Sequence, residues 1–309
     1  MKALFQIDEL SSLNKKTDTS LAIIKEGISL GNEIWITNPD KLTFFNNKAS
    51  LFARKVIGKK LDLSDEHPYF LDYFNFFFIR QDPPFDMNYI SNCYLLELHN
   101  NLNNKPFFIN SPSGIKNFTE KIFPLYFYNL MPSTMVTSTE SSFISMLNKF
   151  QTVIIKPLYC KGGEGIFKIN LGDDCISKFK YVLDKYKAPL VVQEYLENVK
   201  HGDKRVLFIN GSVAGVINRV PKSGEFKANL HLGGEARKIE LTKKEKEICN
   251  ILGPVFTSNN LFLVGIDLID EKLTEINVTS PTGLTQVDEL YGTRLKKKIW
   301  EELEGLIEL

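Results

Sequence analysis

A chain of 309 residues that is 43% hydrophobic, 24% charged and 12% aromatic can bury a substantial core, and its length suits two or three lobes rather than one. Its 38 basic and 37 acidic residues leave a formal charge of +1, so no overall field draws it onto nucleic acid or an acidic membrane. Attraction for anions has to be local, and the expected partners are small molecules.

Ala3–Ile7 reads as a short buried strand. The segment TDTSLAIIKEGISLGN follows as a helix capped by Thr17 or Asp18 and ended by Gly31, and Ile34–Thr37 as a second strand. Strand, helix, strand is the signature of an open α/β domain. Tyr73–Ile79, with successive phenylalanines at 76 to 78, reads as a central strand buried on both faces. In open α/β sheets ligands gather at the carboxyl ends of strands, and this end carries Arg80 and the stiff loop QDPPFD before a helix from about Met87. PFFIN and TEKIFPLYFYNL suggest a further strand and helix, closing an N-terminal domain near residue 120.

From Ser141 the pattern is helix, strand, Gly-rich loop, strand, helix, strand, with VIIKPL, GIFKI and LVVQEYL as the strands of a small α+β lobe. KRVLFINGSVAGVINRV predicts a hairpin, because Asn210 and Gly211 supply the positive φ angles of a type I′ turn. A Gly- and Lys-rich loop interrupts the pattern at about 223–237, where few apolar anchors suggest a mobile lid that closes over substrates. A capping box at Thr242 and Glu245 then opens a helix with Ile248, Ile251, Leu252 and Val255 on one face, before a strand pair and an amphipathic helix end the chain. Cys93, Cys160, Cys175 and Cys249 are far apart, with neither metal-ligand spacing nor disulfide-scaffold density. No apolar run approaches the ~20 residues of a membrane span, and Asp8 and Glu9 precede any signal-peptide core, so a cytoplasmic location is expected.

The segment VGIDLIDEKLTEINVTSP, residues 264–281, is the most informative. A three-residue turn at Asp270, Glu271 and Lys272 sets Ile269 against Leu273, and Asp267 then lies opposite Glu275, with Asn277 further along the same face. Opposed Cβ atoms sit ~5 Å apart and diagonal ones ~7 Å, a spacing at which three oxygen-bearing side chains can share Mg²⁺. A solvated hairpin face is the ordinary reading of charges in strands, but the apolar flanks argue against it. In IIKPLYCKGGEG a strand delivers Lys156, and Gly162 and Gly163 let backbone N–H groups approach a phosphate; Lys121 could close over the same nucleotide from the preceding lobe. Tyr195 and Leu196 end a strand that could face an adenine edge, with Gln193, Glu194 and Asp203 near it. Arg205 and Arg219 lie near one another across the hairpin, where with Arg80 and the cationic loop they could hold a carboxylate and a developing oxyanion.

The stretches IRQDPPFDMNYI, IIKPLYCKGGEGIF, GDKRVLFING and VGIDLIDEKLTEINVTSP resemble those of the bacterial glutathione synthetases, in the same order and over nearly the whole chain. The resemblance implies an α/β fold: a preATP-grasp N-terminal domain over residues 1–120, then the two α+β lobes of an ATP-grasp fold, a small central one over 121–200 and a C-terminal one over 201–309. It implies that Lys121 and Lys156 bind ATP phosphates, that Tyr195 and Leu196 bind adenine, and that Asp267, Glu275 and Asn277 hold Mg²⁺, with Mn²⁺ as a substitute. Arg80, Arg205 and Arg219, with Lys227 and Asn229 of the KANLHLGG loop, would serve the dipeptide and the transferring phosphoryl group. Cys160 stands where the family usually has glycine, and Lys227 where arginine is common. The implied reaction joins γ-glutamylcysteine to glycine through an acyl phosphate, splitting ATP to ADP and phosphate, in a homo-oligomer. Another ATP-grasp carboxylate–amine ligase, or a non-catalytic ATP-binding protein of the same fold, is the alternative. On this reading Asp267→Asn or Glu275→Gln should abolish turnover and leave the fold intact.

Overall fold

Short apolar runs separated by capped helices build the first sheet of the computed structural model, which describes residues 1–222, 224–225, 227–228 and 234–307. Strand β1 (Lys2–Gln6) leads to α1 (Thr19–Ser29), where the Asp18 side chain accepts a hydrogen bond from the Leu21 N–H, and to β2 (Glu33–Thr37). Of the two expected caps Asp18 is the one used, satisfying an orphan donor of the first turn. An antiparallel extension follows, β3 (Leu42–Phe45), β4 (Lys48–Ile57) and β5 (Asp62–Phe70), which no motif announces. The chain returns as β6 (Phe76–Ile79), α2 (Met87–Leu102), β7 (Phe107–Ile109) and α3 (Pro112–Asn117). The strand order is β3-β4-β2-β1-β6-β7, with β5 pairing on β4, and β1 is parallel to both β2 and β6.

The phenylalanine strand begins at Phe76, because Leu71–Tyr73 forms a 3-10 turn. It is buried on both faces, as its composition requires. Phe77 and Ile79 pack with Cys93 and Leu96 of α2, while Phe76 and Phe78 pack with α1 and with Trp300. Trp300 belongs to α8 (Leu295–Ile307), the last helix, and its Nε1 donates to the Ile23 carbonyl at 3.0 Å. Any side chain at Gly27 would run into that indole. The C-terminal helix therefore packs into the core of the first sheet.

The second sheet has the order β10-β9-β11-β8 among the described residues. Its strands are β8 (Thr134–Thr137), β9 (Thr152–Pro157), β10 (Phe167–Asn170) and β11 (Leu190–Glu194). Helices α4 (Glu140–Phe150) and α5 (Cys175–Tyr186) cover one face, burying Phe143, Leu147, Phe179 and Val182 against Val153, Ile155, Leu190 and Val192. Strand alternation turns Ile154 and Lys156 to the other face.

The third sheet, β14-β13-β12-β15-β16, is antiparallel throughout. It comprises β12 (Asp203–Ile209), β13 (Ser212–Val220), β14 (Glu235–Arg237), β15 (Leu263–Ile269) and β16 (Lys272–Asn277). Asn210 and Gly211 have φ of 48° and 72°, as the tight turn demands. Both hydrogen bonds of the Thr242–Glu245 capping box form at the start of α6 (Lys243–Ser258). That helix buries Ile248, Cys249, Leu252 and Phe256, whereas Ile251, expected on the same face, is 49% exposed. The helical rotation at 100° per residue favours Cys249 over Ile251 for the buried stripe. After β16 comes α7 (Leu284–Tyr291), then α8.

One expectation is corrected here, and another falls in part outside the described residues. TEKIFPLYFYNL, expected as a helix, is a kinked 3-10 segment over Phe123–Leu130, with Pro124 in its first turn, and Phe123 and Met131 pack on the third sheet. The expected lid over 223–237 ends in β14, which pairs with β13; Ser223, Phe226 and residues 229–233 lie outside the described residues. Among the described residues no helix is long and apolar enough to cross a membrane.

Candidate active site

All three sheets converge on one cavity of about 520 Å³. The β15–β16 hairpin forms its floor. Asp270 and Glu271, with φ of 54° and 59°, make a two-residue turn that pairs Ile269 with Lys272, so the expected three-residue turn and the Ile269–Leu273 pairing do not occur. A bulge then puts the extra residue, Thr274, into β16, and its hydroxyl donates to the Asp267 carbonyl at 3.0 Å. The bulge restores the register, and Asp267 lies opposite Glu275.

Asp267 is gripped from two strands. Arg205 donates to it through Nε and, at 3.1 Å, through Nη2, while Arg219 brings Nη2 to 3.0 Å from Oδ1 and also donates to Asp203. Hairpin geometry explains the convergence, since Asp203 is opposite Arg219 and Arg205 is opposite Asp267. Burial pushes the Asp267 carboxyl up, but the two guanidinium groups outweigh it and hold its pKa well below the usual range. For Asp203 burial wins over Arg219, with the Asp267 charge adding to it, and its pKa rises to about 6.

On the opposite wall β9 aims Lys156 at the hairpin, its Nζ 3.5 Å from Glu275 Oε1. Lys121 donates to the Cys160 carbonyl at 2.8 Å, and Lys227 donates to the Gly163 carbonyl at 2.9 Å. Gly162 and Gly163 take φ of 67° and 80°, a left-handed course that other residues would strain to adopt. At the end of β11, Gln193 donates to the Thr134 hydroxyl at 2.8 Å, Glu194 accepts from the Ser133 N–H at 3.2 Å, and Tyr195 and Leu196 line the cavity with them. The Leu196 N–H has no hydrogen-bond partner among the described residues. Every site candidate just named lines the cavity, as does Asn277. Asn229 lies outside the described residues. Arg80 does not line the cavity: it is buried behind the wall, where Nε donates to Ser20 Oγ at 3.0 Å and Nη2 to the Pro281 carbonyl at 3.1 Å.

The hairpin's donors are hard oxygens suited to a divalent cation. Glu275 has one long contact to Lys156, and Asn277 uses its Nδ2 on Gly265 and Asp267, which leaves its amide oxygen unengaged among the described residues. These two side chains fit a cation directly; the Asp267 oxygens already accept three hydrogen bonds from the arginines and a 3.4 Å contact from Asn277 Nδ2, so Asp267 would join the set by giving one of these up. Among the described residues no three Asp, Glu, His or Cys side chains are grouped at metal-binding distance, so the set depends on the amide.

Two family models match consecutive parts of the chain: the prokaryotic glutathione synthetase N-terminal domain over residues 1–116, and the prokaryotic glutathione synthetase ATP-grasp domain over residues 120–292. The chain belongs to the prokaryotic glutathione synthetase family. The glutathione synthetase of Mesorhizobium japonicum is 36% identical over 99% of this chain and 98% of its own. That of Prochlorococcus marinus is 34% identical over 99% of this chain and 100% of its own. Solved structures share the fold at low identity. D-cycloserine synthetase DcsG superposes with a TM-score of 0.68 at 13% identity, covering 97% of this chain and 99% of that one. D-alanyl-alanine synthetase A from Vibrio cholerae gives 0.63 at 15%, covering 98% and 97%. As a member of this family the protein is an ATP-dependent ligase of the ATP-grasp fold.

Two residues of this glutathione synthetase family site escape sequence reasoning. Glu120 lines the cavity, accepts from the Thr279 hydroxyl at 2.8 Å, and has a pKa raised by burial, with Glu275 adding to it against Lys121. Asn110, just past β7, bonds the Leu263 N–H and the Leu263 and Val278 carbonyls, each at 2.7 Å, and so ties the first sheet to both hairpin strands. The only signal for Glu120 was its place beside Lys121; for Asn110 it was a polar residue ending an apolar strand.

Proposed function

We propose that this protein is a glutathione synthetase, joining γ-glutamylcysteine to glycine with cleavage of ATP to ADP and phosphate. The observation that supports it most is the cation-lined cavity in which Lys121 and Lys156, from different parts of the chain, approach one carboxylate-bearing hairpin. A free carboxylate has no usable leaving group, so the γ-phosphoryl group passes first to the cysteinyl carboxylate. The glycine nitrogen, once its ammonium has given a proton to water, attacks the acyl carbon; the C–N bond forms, the bond from that carbon to the phosphate oxygen breaks, phosphate leaves with the electron pair, and the nitrogen gives up its second proton to water or the departing phosphate.

In this reading Lys121, Lys156 and the N–H groups at Gly162 and Gly163 hold phosphate oxygens. Gln193, Glu194, Tyr195, Leu196 and Asp203 surround the nucleoside, with the Leu196 N–H free to donate to the adenine edge. Arg205 and Arg219, already aimed by Asp267 and Asp203, meet the negative charge of the acyl phosphate without reorganising. Arg80 supports the wall through Pro281, and Lys227 and Asn229 serve the dipeptide and the transferring phosphoryl group. Asp267, Glu275 and Asn277 would hold Mg²⁺, or Mn²⁺ in its place, which when bound neutralises charge on the β- and γ-phosphates. The enzyme acts in the cytoplasm, as a homo-oligomer. A matrix of γ-glutamyl dipeptides against amino acids, read by ADP release, tests the reading. Release that needs both γ-glutamylcysteine and glycine supports it, and release with a different pair would move the chain to another ligase.

A further inference from the structure

The cavity is rich in lysine and arginine, yet the amino acid that must attack the acyl phosphate arrives as an ammonium ion. A cation needs a carboxylate that is not already neutralised. Eight carboxylates line the cavity, and most are engaged. Asp82 pairs with Lys161, Glu164 with Lys185, Glu194 with Lys272, Glu275 with Lys156, and Asp203 and Asp267 with the arginines. Among the described residues Asp18 and Glu120 have no ion pair, and Asp18 is occupied as the cap of α1.

Glu120 is held at the phosphoryl end of the cavity. Its carbonyl accepts the Ile276 N–H at 3.1 Å, between Glu275 and Asn277, and its Oε1 accepts from Thr279 at 2.8 Å. The next residue is Lys121. One bond thus fixes the backbone and one the carboxylate, while Oε2 has no partner among the described residues. We propose that Glu120 Oε2 receives the ammonium group of the incoming amino acid and holds its nitrogen toward the acyl carbon, where loss of one proton to water frees the lone pair that attacks. The inference rests on the reaction proposed above. It explains how a pocket built to attract anions admits a cationic nucleophile: one carboxylate in a low-dielectric site pairs strongly with an ammonium that the neighbouring lysines repel.

The test compares glycine with hydroxylamine, a nucleophile that is uncharged at neutral pH and traps the acyl phosphate as a hydroxamate. Glu120→Gln keeps the shape and the Thr279 bond and removes the charge. Its kcat/KM for glycine is expected to fall about 30- to 300-fold, mostly through KM, while hydroxamate formation from γ-glutamylcysteine and ATP stays within about threefold of the parent. Thr279→Val, which loosens the carboxylate but keeps its charge, should raise the glycine KM about 3- to 10-fold with hydroxamate formation unaffected. Equal loss with both nucleophiles, an unchanged glycine KM in Glu120→Gln, or a raised glycine KM in Asp18→Asn instead would overturn the assignment. If the parent protein forms no hydroxamate, the proposed reaction itself fails and the inference falls with it.

Discussion

The two cationic walls of the cavity are built on opposite plans. Around β12 and β15, Arg205, Arg219, Asp203 and Asp267 are buried and locked to one another across neighbouring strands. Along the glycine loop, Lys161 is half exposed, meeting one partner in Asp82, while Lys156 is buried but has a single 3.5 Å contact, to Glu275. Charges removed from water must be compensated inside the protein, so the first wall is as much part of the fold as of the site. A charge left near water, or held by one long contact, is bound weakly and remains free to engage a ligand.

Asp267→Asn should have the largest effect and should break the idea of a purely functional hairpin. It leaves two buried guanidinium groups facing one remaining carboxylate, so unfolding in denaturant is expected to lose about 3 kcal/mol or more together with turnover. This revises the sequence-based expectation that the fold survives. Stability within about 1 kcal/mol of the parent would show that the arginines are not held by this charge.

Glu275→Gln sharpens the contrast from the other side. Its one long contact, to Lys156, predicts little change in stability, while ADP formation should fall about 100-fold or more and should not recover at ordinary Mg²⁺ concentrations. Lys156→Ala comes next: the KM for ATP should rise about 10- to 100-fold, against threefold or less for Lys161→Ala, because only Lys156 is aimed into the cavity by a strand. Equal effects would make the loop merely basic. The smallest effect belongs to the Asp82–Lys161 pair, for which a double-mutant cycle in alanine should return a coupling below about 1 kcal/mol. A larger coupling would move the glycine loop to the same plan as the buried arginines.

The pattern of residues carried much of this architecture. Alternating apolar runs, the Asn210–Gly211 turn and the Thr242–Glu245 box each act within a few residues, so their geometry follows from local backbone chemistry. The pairing of Asp267 with Glu275 was legible for the same reason, although the turn is one residue shorter than expected and a bulge at Thr274 makes up the difference. Strands β3 to β5 were not legible. β5 is exposed along most of its length and carries charged and polar residues, so it lacks the apolar alternation by which a half-buried strand is recognised.

Sequence by itself determined the family, most strands and helices, and most of the expected residues that line the cavity, because periodicity and motif wording report on neighbours close along the chain. Tertiary structure alone decided three matters. It sent Arg80 behind the wall, hydrogen-bonded to Ser20 and Pro281; it seated Trp300 of the last helix on Gly27 of the first; and it left Glu120 as a carboxylate lining the cavity with no ion pair among the described residues. Each depends on partners about 60 to 280 positions away, whose approach is set by the packing of whole sheets rather than by any local preference of the chain.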